Sequence, residues 1–500
     1  MRLRELLTAA GYSGAGISQR LHTSGEPIFT HVDLEVYRRR LAAVPDGLSA
    51  LISLLLLGDP VPPGKHAELL VEAGLAEERD GTLHGLVRVV PHDDLLIASD
   101  RLDVDGADRV AGVHRPSAVL AHLTIREPVE RALDVCTGNG IQALLLSRHA
   151  EHVFATDVNG RALGFAAFNL ALNGVTNVEL REGNLLEPVI GERFGCISCN
   201  PPYVVSPDAE FTFRDSGLSG DRVSELLARG LPGLLEPGGF ATLMASWAQA
   251  GDDPAVRPRE WLDGSGCDTW ILHTTTDDPL SNAAAWTRDA VEGPNEFGAA
   301  LDRWTAYYRE LGIEALAYGA LVLRRRDGAN WSRGASLPPR PLEPASSHLL
   351  RMFAGVDAAT AGPEALLARR LAVVPAAHFE QIVSPSEAST ASRALRVPSS
   401  ACNSRSVGSS TSARNPSPSS SVRVAPTTDQ VSLGETICSK RAAGTTASRR
   451  ASSASWPATV ASTPANIRSR WLEAGSSGRG GRLAPRDQFT PSRRRSTSAP

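Results

Sequence analysis

Between Arg131 and Arg326 short apolar runs alternate with helical patterns, and this alternation constrains the fold more than any other feature. The runs are RALDV, HVFAT, NVEL, FGCIS, FATLMA, DTWIL and YGALVLRRR. Segments of helical spacing lie between most of them, and a long amphipathic one, PNEFGAALDRWTAYYRELGIEAL, leads into the last. Strands joined through helices pair in parallel, and such a sheet is covered on both faces. The expected class is α/β.

Four zones follow. Residues 1–127 read as a mainly helical domain that ends in a helix (HAELLVEAGL), an Asp80-Gly81 turn and two short apolar runs, LVRVV and DLLIAS. A helix followed by a hairpin fits a winged helix, and it fits other small helical caps equally. No basic stripe marks it as a nucleic-acid reader. Residues 128–326 hold the alternating pattern. Residues 327–383 read as a small C-terminal extension with one helix in GPEALLARRLAVV. Residues 384–500 are low in complexity, dominated by Ser, Thr, Ala, Pro, Gly and Arg. They carry 17 Lys and Arg against 5 Asp and Glu, so a chain of net charge −4 holds +12 there and −16 over residues 1–383. Without apolar periodicity this tail cannot offset its ordering entropy and is expected to be disordered. It is either a basic tail able to meet polyanions or an out-of-frame translation, and its Arg/Ser/Pro/Ala mixture favours the second.

No apolar run reaches the 18 or so residues of a membrane span, and LSALISLLLLG is short enough to be a buried helix. The N-terminus lacks a signal peptide's apolar stretch, so a cytoplasmic protein with no membrane partner is expected. Cys196-x-x-Cys199 has no second pair to complete a zinc set, and reads as two buried thiols on a strand, with no metal site.

The chemistry concentrates in LDVCTGNGIQAL, Leu133–Leu144. A strand stops at Gly138 and Gly140, a helix follows, and Asp157 stands nineteen positions after Gly138 at the end of the next run. Taken alone, this fits a nicotinamide dinucleotide site. Three features point elsewhere. Asp134, four residues before the first glycine, suits a ligand with a positive group better than a pyrophosphate. Asn184, at the turn after NVEL, offers an amide to an adenine edge. NPPY, Asn200–Tyr203, directly follows the fourth strand and has no use in hydride transfer.

Loop, acid and NPPY in this order resemble the class I S-adenosylmethionine-dependent methyltransferases. The resemblance implies a Rossmann-like sheet and S-adenosyl-L-methionine as cofactor. Thr137, Gly138, Asn139 and Gly140 would then approach the methionine end with Asp134 beside its amino group. Asp157 would accept the ribose hydroxyls, Asn184 the adenine, and Asn200 would border cofactor and acceptor. Cys136, Asn139 and Asn184 depart from the family's usual residues.

In such enzymes NPPY serves a planar nitrogen. Asn200 and the Pro201 carbonyl would each accept one of its N–H bonds, Pro201 and Pro202 would fix the turn, and Tyr203 would stack on the planar group and face the developing charge. NPPYVVSP and the following GLSGDRVSELLARGLPGLLEPGGFATLMASW resemble the glutamine-specific release-factor methyltransferases, in particular their eukaryotic and archaeal branch. The resemblance covers Leu133 to about Trp247 and implies that Phe211–Arg222 would meet a translation-factor-like protein. An rRNA or tRNA base methyltransferase, acting on adenine N6 or guanine N2, carries the same motif; the charge of −16 speaks against an RNA partner. An inactive cofactor-binding scaffold is the non-enzyme alternative.

Overall fold

The computed structural model describes residues 2–23, 31–288, 293–337 and 346–361. Five helices open the chain: α1 (Arg2–Ala9), α2 (Gly14–Leu21), α3 (His31–Ala43), α4 (Gly47–Ile52) and α5 (Ala67–Glu72). Two hairpins follow, β1 (Ala76–Arg79) with β2 (Thr82–Gly85), and β3 (Arg88–His92) with β4 (Leu95–Ser99). Asp80 and Gly81 close the first hairpin at φ values of +51° and +72°, the left-handed pair that a two-residue turn requires.

The sheet then builds in order: α6 (Arg115–Leu123), β5 (Val129–Val135), α7 (Ile141–Leu146), β6 (Ala150–Asp157), α8 (Gly160–Leu172), β7 (Val178–Glu182), β8 (Phe194–Cys199), α9 (Arg222–Gly230), β9 (Leu235–Gln249), α10 (Val256–Leu262), β10 (Cys267–Asp277), α11 (Pro279–Thr287), α12 (Pro294–Glu310) and β11 (Ala315–Arg325). Each of the seven apolar runs is a strand. Their spatial order is β10-β11-β9-β8-β5-β6-β7, parallel except for β11, which runs against both β9 and β10. From β5 the chain steps outward to β6 and β7, then returns to β8 on the other side. The loops leaving β5 and β8 therefore diverge, and a crevice opens at the strands' C-terminal ends, where open α/β sheets hold ligands.

Every residue of β8 is buried, as a strand covered on both faces demands. Cys196 and Cys199 lie on its opposite faces in two different apolar clusters.

Two elements differ from the sequence expectation. Residues read as an extension supply β12 (Ser332–Ser336), which pairs in parallel with β10 and lengthens the sheet, and α13 (Ser346–Ala361), whose Phe353 is fully buried in the main core. The N-terminal helices also share a core with the sheet: Phe165, Ala162 and Leu172 of α8 pack among Leu7, Tyr12, Leu21 and Ile52. Polar contacts reinforce the junction. The side chain of Asn169 donates to the Ala98 carbonyl at 2.9 Å and accepts from its N–H at 2.8 Å, and Asn173 does the same at Leu96. Two amides thus satisfy the open edge of β4 as a neighbouring strand would. The helix expected in GPEALLARRLAVV and the tail from residue 384 lie outside the described residues. No helix among those residues is long and apolar enough to cross a membrane.

Candidate active site

The crevice holds a cavity of about 310 Å³. Its walls come from the β5 loop (Cys136–Asn139), the end of β6 (Asp157–Asn159), the turn after β7 (Gly183–Leu185), Asn200 and Pro202 after β8, and the loop around Thr212–Leu218. Thr137, Gly138, Asn139, Asp157, Asn184 and Asn200, distributed over four loops, meet there.

The β5 loop is shaped by what it must face. Gly138 has φ +54°, and a Cβ on it would meet nothing within 4 Å, so its backbone borders open space. Gly140 has φ +84°, and a Cβ there would stand 3.1 Å from the Ala166 backbone, so a side chain would push the loop off α8. Cys136 is held at φ +58° and Leu185, across the cavity, at +47°; both pay the cost of a left-handed conformation without being glycine.

Asp157 joins two motifs. Its carboxylate accepts the Gly138 N–H at 2.8 Å and the Asn159 N–H at 2.9 Å. Burial raises its pKa, and these backbone donors pull it back down. Each oxygen keeps lone-pair capacity for ligand hydroxyls.

Asp134 sits elsewhere than the ligand-facing place expected of it. It is 1% exposed and lies behind the loop. Its carboxylate accepts from the Thr137 hydroxyl at 2.6 Å, the Ala143 N–H at 3.0 Å and the Ser198 hydroxyl at 3.1 Å, so it ties the loop to α7 and β8. Asn139 is likewise an organiser. Its Oδ1 accepts the Ile141 N–H, its Nδ2 donates to the Ala111 carbonyl, and its own carbonyl accepts from Asn169.

Within NPPY the members separate. Asn200 and Pro202 line the cavity, and Asn200 Oδ1 is buried with no hydrogen-bond partner. The Pro201 carbonyl already accepts the Tyr203 N–H at 2.8 Å, leaving one lone pair. Tyr203 is 9% exposed and turns its ring edge-on to Tyr318, with centroids 6.4 Å apart, instead of forming the cavity wall expected of it. Pro202, Phe213, Leu218 and Leu226 supply the apolar lining there.

Sequence reasoning missed what holds the loop after NPPY. Asp208 accepts from Trp304 Nε1 at 2.8 Å and from Arg303 at 3.1 Å, and the Tyr307 hydroxyl accepts the Gly220 N–H at 2.8 Å, all on α12. Arg214, 5% exposed, pairs with Asp215 at 2.8 Å while its guanidinium lies over Phe211 and Trp304. The aromatics of RWTAYY, three and four residues apart on one helix face, were the available signal.

Residues 111–215 match the methyltransferase small domain. The chain is 38% identical over 131 residues to the release factor glutamine methyltransferase of Xylella fastidiosa, covering 24% of this chain and 48% of that one. It is 46% identical over 85 residues to the ribosomal protein uL3 glutamine methyltransferase of Bordetella pertussis, covering 16% and 28%. Over 228 residues it is 32% identical to the release factor glutamine methyltransferase of Cereibacter sphaeroides, covering 42% of this chain and 78% of that relative. The chain belongs to the release factor glutamine methyltransferase family. Its matched segment, residues 111–215, is a methyltransferase domain. The chain spans about half the length of the Xylella relative.

The cavity fits the cofactor that this methyltransferase family implies. The open face at Gly138, the acid at the end of β6 and the exposed Asn184 at the rim present a backbone cradle, a hydroxyl acceptor and an amide in sequence along the crevice. Asp157→Ala is expected to weaken S-adenosylhomocysteine binding by about 1–3 kcal/mol, since it removes charge-assisted hydrogen bonds and frees the Gly138 N–H. Isothermal titration checks this; an unchanged Kd would take Asp157 out of the binding set.

Proposed function

We propose that this enzyme methylates the side-chain amide nitrogen of a glutamine in a protein of the translation machinery. The observation that carries the reading is Asn200 Oδ1, a buried acceptor without a partner in the cavity. A buried acceptor left unpaired costs about 1–3 kcal/mol, and an N–H donor of the bound acceptor group removes that cost. The cofactor supplies an electrophilic methyl group on a sulfonium. The chain's task is to present a poor nucleophile, because an amide nitrogen delocalises its lone pair into the carbonyl. Asn200 Oδ1 accepts one N–H, and the remaining lone pair of the Pro201 carbonyl accepts the other. The nitrogen is thereby oriented toward the cofactor, and positioning of this kind supplies most of the rate. Its surplus proton leaves after transfer, so no base is needed beforehand.

The names of the relatives, which act on release factors and on ribosomal protein uL3, support a protein acceptor. The lining agrees: Arg109 is its one Arg or Lys among the described residues, too little positive charge for a phosphate backbone. In cell extract given tritiated S-adenosylmethionine and the purified enzyme, label should stay with protein after ribonuclease treatment. Acid hydrolysis should then release it as methylamine, the product of an N-methyl amide. Loss of label on ribonuclease treatment would make RNA the acceptor.

A further inference from the structure

Arg109, Val110 and Ala111 line the cavity, and the strap they belong to, residues 107–111, is tied down at both ends and in the middle. The Ala107 carbonyl accepts the Thr212 N–H at 2.9 Å and its hydroxyl at 2.8 Å, from the loop after NPPY. The Asp108 carbonyl accepts from the side chain of Asn159, two residues past the β6 acid, at 2.9 Å. The Val110 N–H donates to Asp100 at 2.7 Å, and Asp100 is in turn paired with Arg161. The Ala111 carbonyl accepts from Asn139 of the glycine loop at 2.9 Å. In the middle of this strap, Arg109 lines the cavity.

Arg109 is held by no side-chain partner at its Nε, which is buried without a hydrogen bond, and it forms no ion pair among the described residues. Asp103 lies within reach of its field but is held by Arg101 at 2.8 and 2.7 Å. The other basic side chain in the lining, His114, has its pKa lowered by burial and is therefore neutral near pH 7. Of the acids in the lining, Asp215 is already paired with Arg214, and Asp157 accepts two backbone N–H groups. A half-buried guanidinium that lines a ligand cavity and forms no ion pair among the described residues can take an anion there.

We propose that Arg109 binds the α-carboxylate of the cofactor's methionyl arm. The inference rests on the methyltransferase reading of this cavity. If the cofactor lies as the resemblance implies, with adenine toward Asn184 and ribose at Asp157, its methionyl arm would run over the β5 loop. The strap that carries Arg109 covers that loop, fastened to it through Asn139. The arm's carboxylate then meets a planar cation that can grip it with two parallel N–H bonds. The same segment holds Thr212 of the loop after NPPY, so the two sites are built on it.

The test compares two ligands that differ only in that arm. S-adenosylhomocysteine carries it; 5′-methylthioadenosine has only a methyl group on that sulfur. By isothermal titration, Arg109→Gln should weaken S-adenosylhomocysteine about 10- to 100-fold and leave 5′-methylthioadenosine within about threefold. Arg109→Lys should recover part of the loss, since it restores charge without the planar fork. Equal losses for both ligands would show that the substitution only loosens the strap, and would overturn the proposal. So would unchanged affinity for S-adenosylhomocysteine, and a raised KM for the protein acceptor beside it would move Arg109 to the acceptor's side. A wild-type protein that binds neither ligand would instead overturn the cofactor reading itself.

Discussion

Asn200→Ala should lower single-turnover methyl transfer about 10²–10³-fold with the cofactor saturating, the loss typical when one preorganised contact to the reacting group is removed. The Kd for S-adenosylhomocysteine should change far less. The expectation follows from the unpartnered Oδ1 in the cavity. An acceptor fixed before the acceptor protein arrives orients the amide without reorganising, and alanine leaves the amide's N–H without its partner. Asn200→Asp separates two explanations. It keeps an oxygen at the same place and adds charge that attracts a nitrogen becoming positive, so it should retain activity that alanine loses. Equal rates for wild type and Asn200→Ala would remove the motif from the mechanism. A loss that follows weaker cofactor binding in proportion would make Asn200 a cofactor ligand only.

The parts of the site that were legible in the sequence are those built within one strand–loop–helix unit. The β5 loop, Asp157 and Asn200 each follow directly after an apolar run, where strand period and glycine spacing fix the geometry over a few residues. What could not be read joins distant segments. Thr212 reaches Ala107, 105 residues away, and Arg303 reaches Asp208, 95 residues away. No local pattern encodes such pairs. Tyr203 was misplaced for a related reason: its neighbour in sequence is the motif, but its neighbour in space is Tyr318 on β11. The last strand of the sheet escaped because SRGAS is polar and short. It is an edge strand, and its partner β10 supplies the burial.

Asp134 shows how a correct position can carry a different role, and it leads to the second large effect. Three donors converge on its buried carboxylate, from Thr137, Ala143 and Ser198. Asp134→Ala would strand a backbone N–H and two hydroxyls and leave a cavity behind the glycine loop. Each stranded group costs about 1–3 kcal/mol, not additively, so a loss of roughly 3–5 kcal/mol of stability is expected in denaturant titration. Asp134→Asn should be much milder. Its oxygen can face Thr137 and Ala143 while its NH₂ donates to the Ser198 hydroxyl, which can turn to accept. The two variants also differ in pH response. Burial lifts the carboxyl of Asp134 to about 7, with the three donors pulling the other way. A folded-state pKa above the unfolded value means that the native state holds its proton more tightly. The stabilisation is therefore complete below about pH 4, and it is lost as pH rises toward 7, by on the order of 1.4 kcal/mol per pH unit inside that window. Wild type should lose stability relative to Asp134→Asn as pH is raised from 4.5 to 7.5, and the difference should level off above that. A constant difference across the window would mean that Asp134 is ionised throughout, held so by its donors, and would leave only the alanine prediction standing.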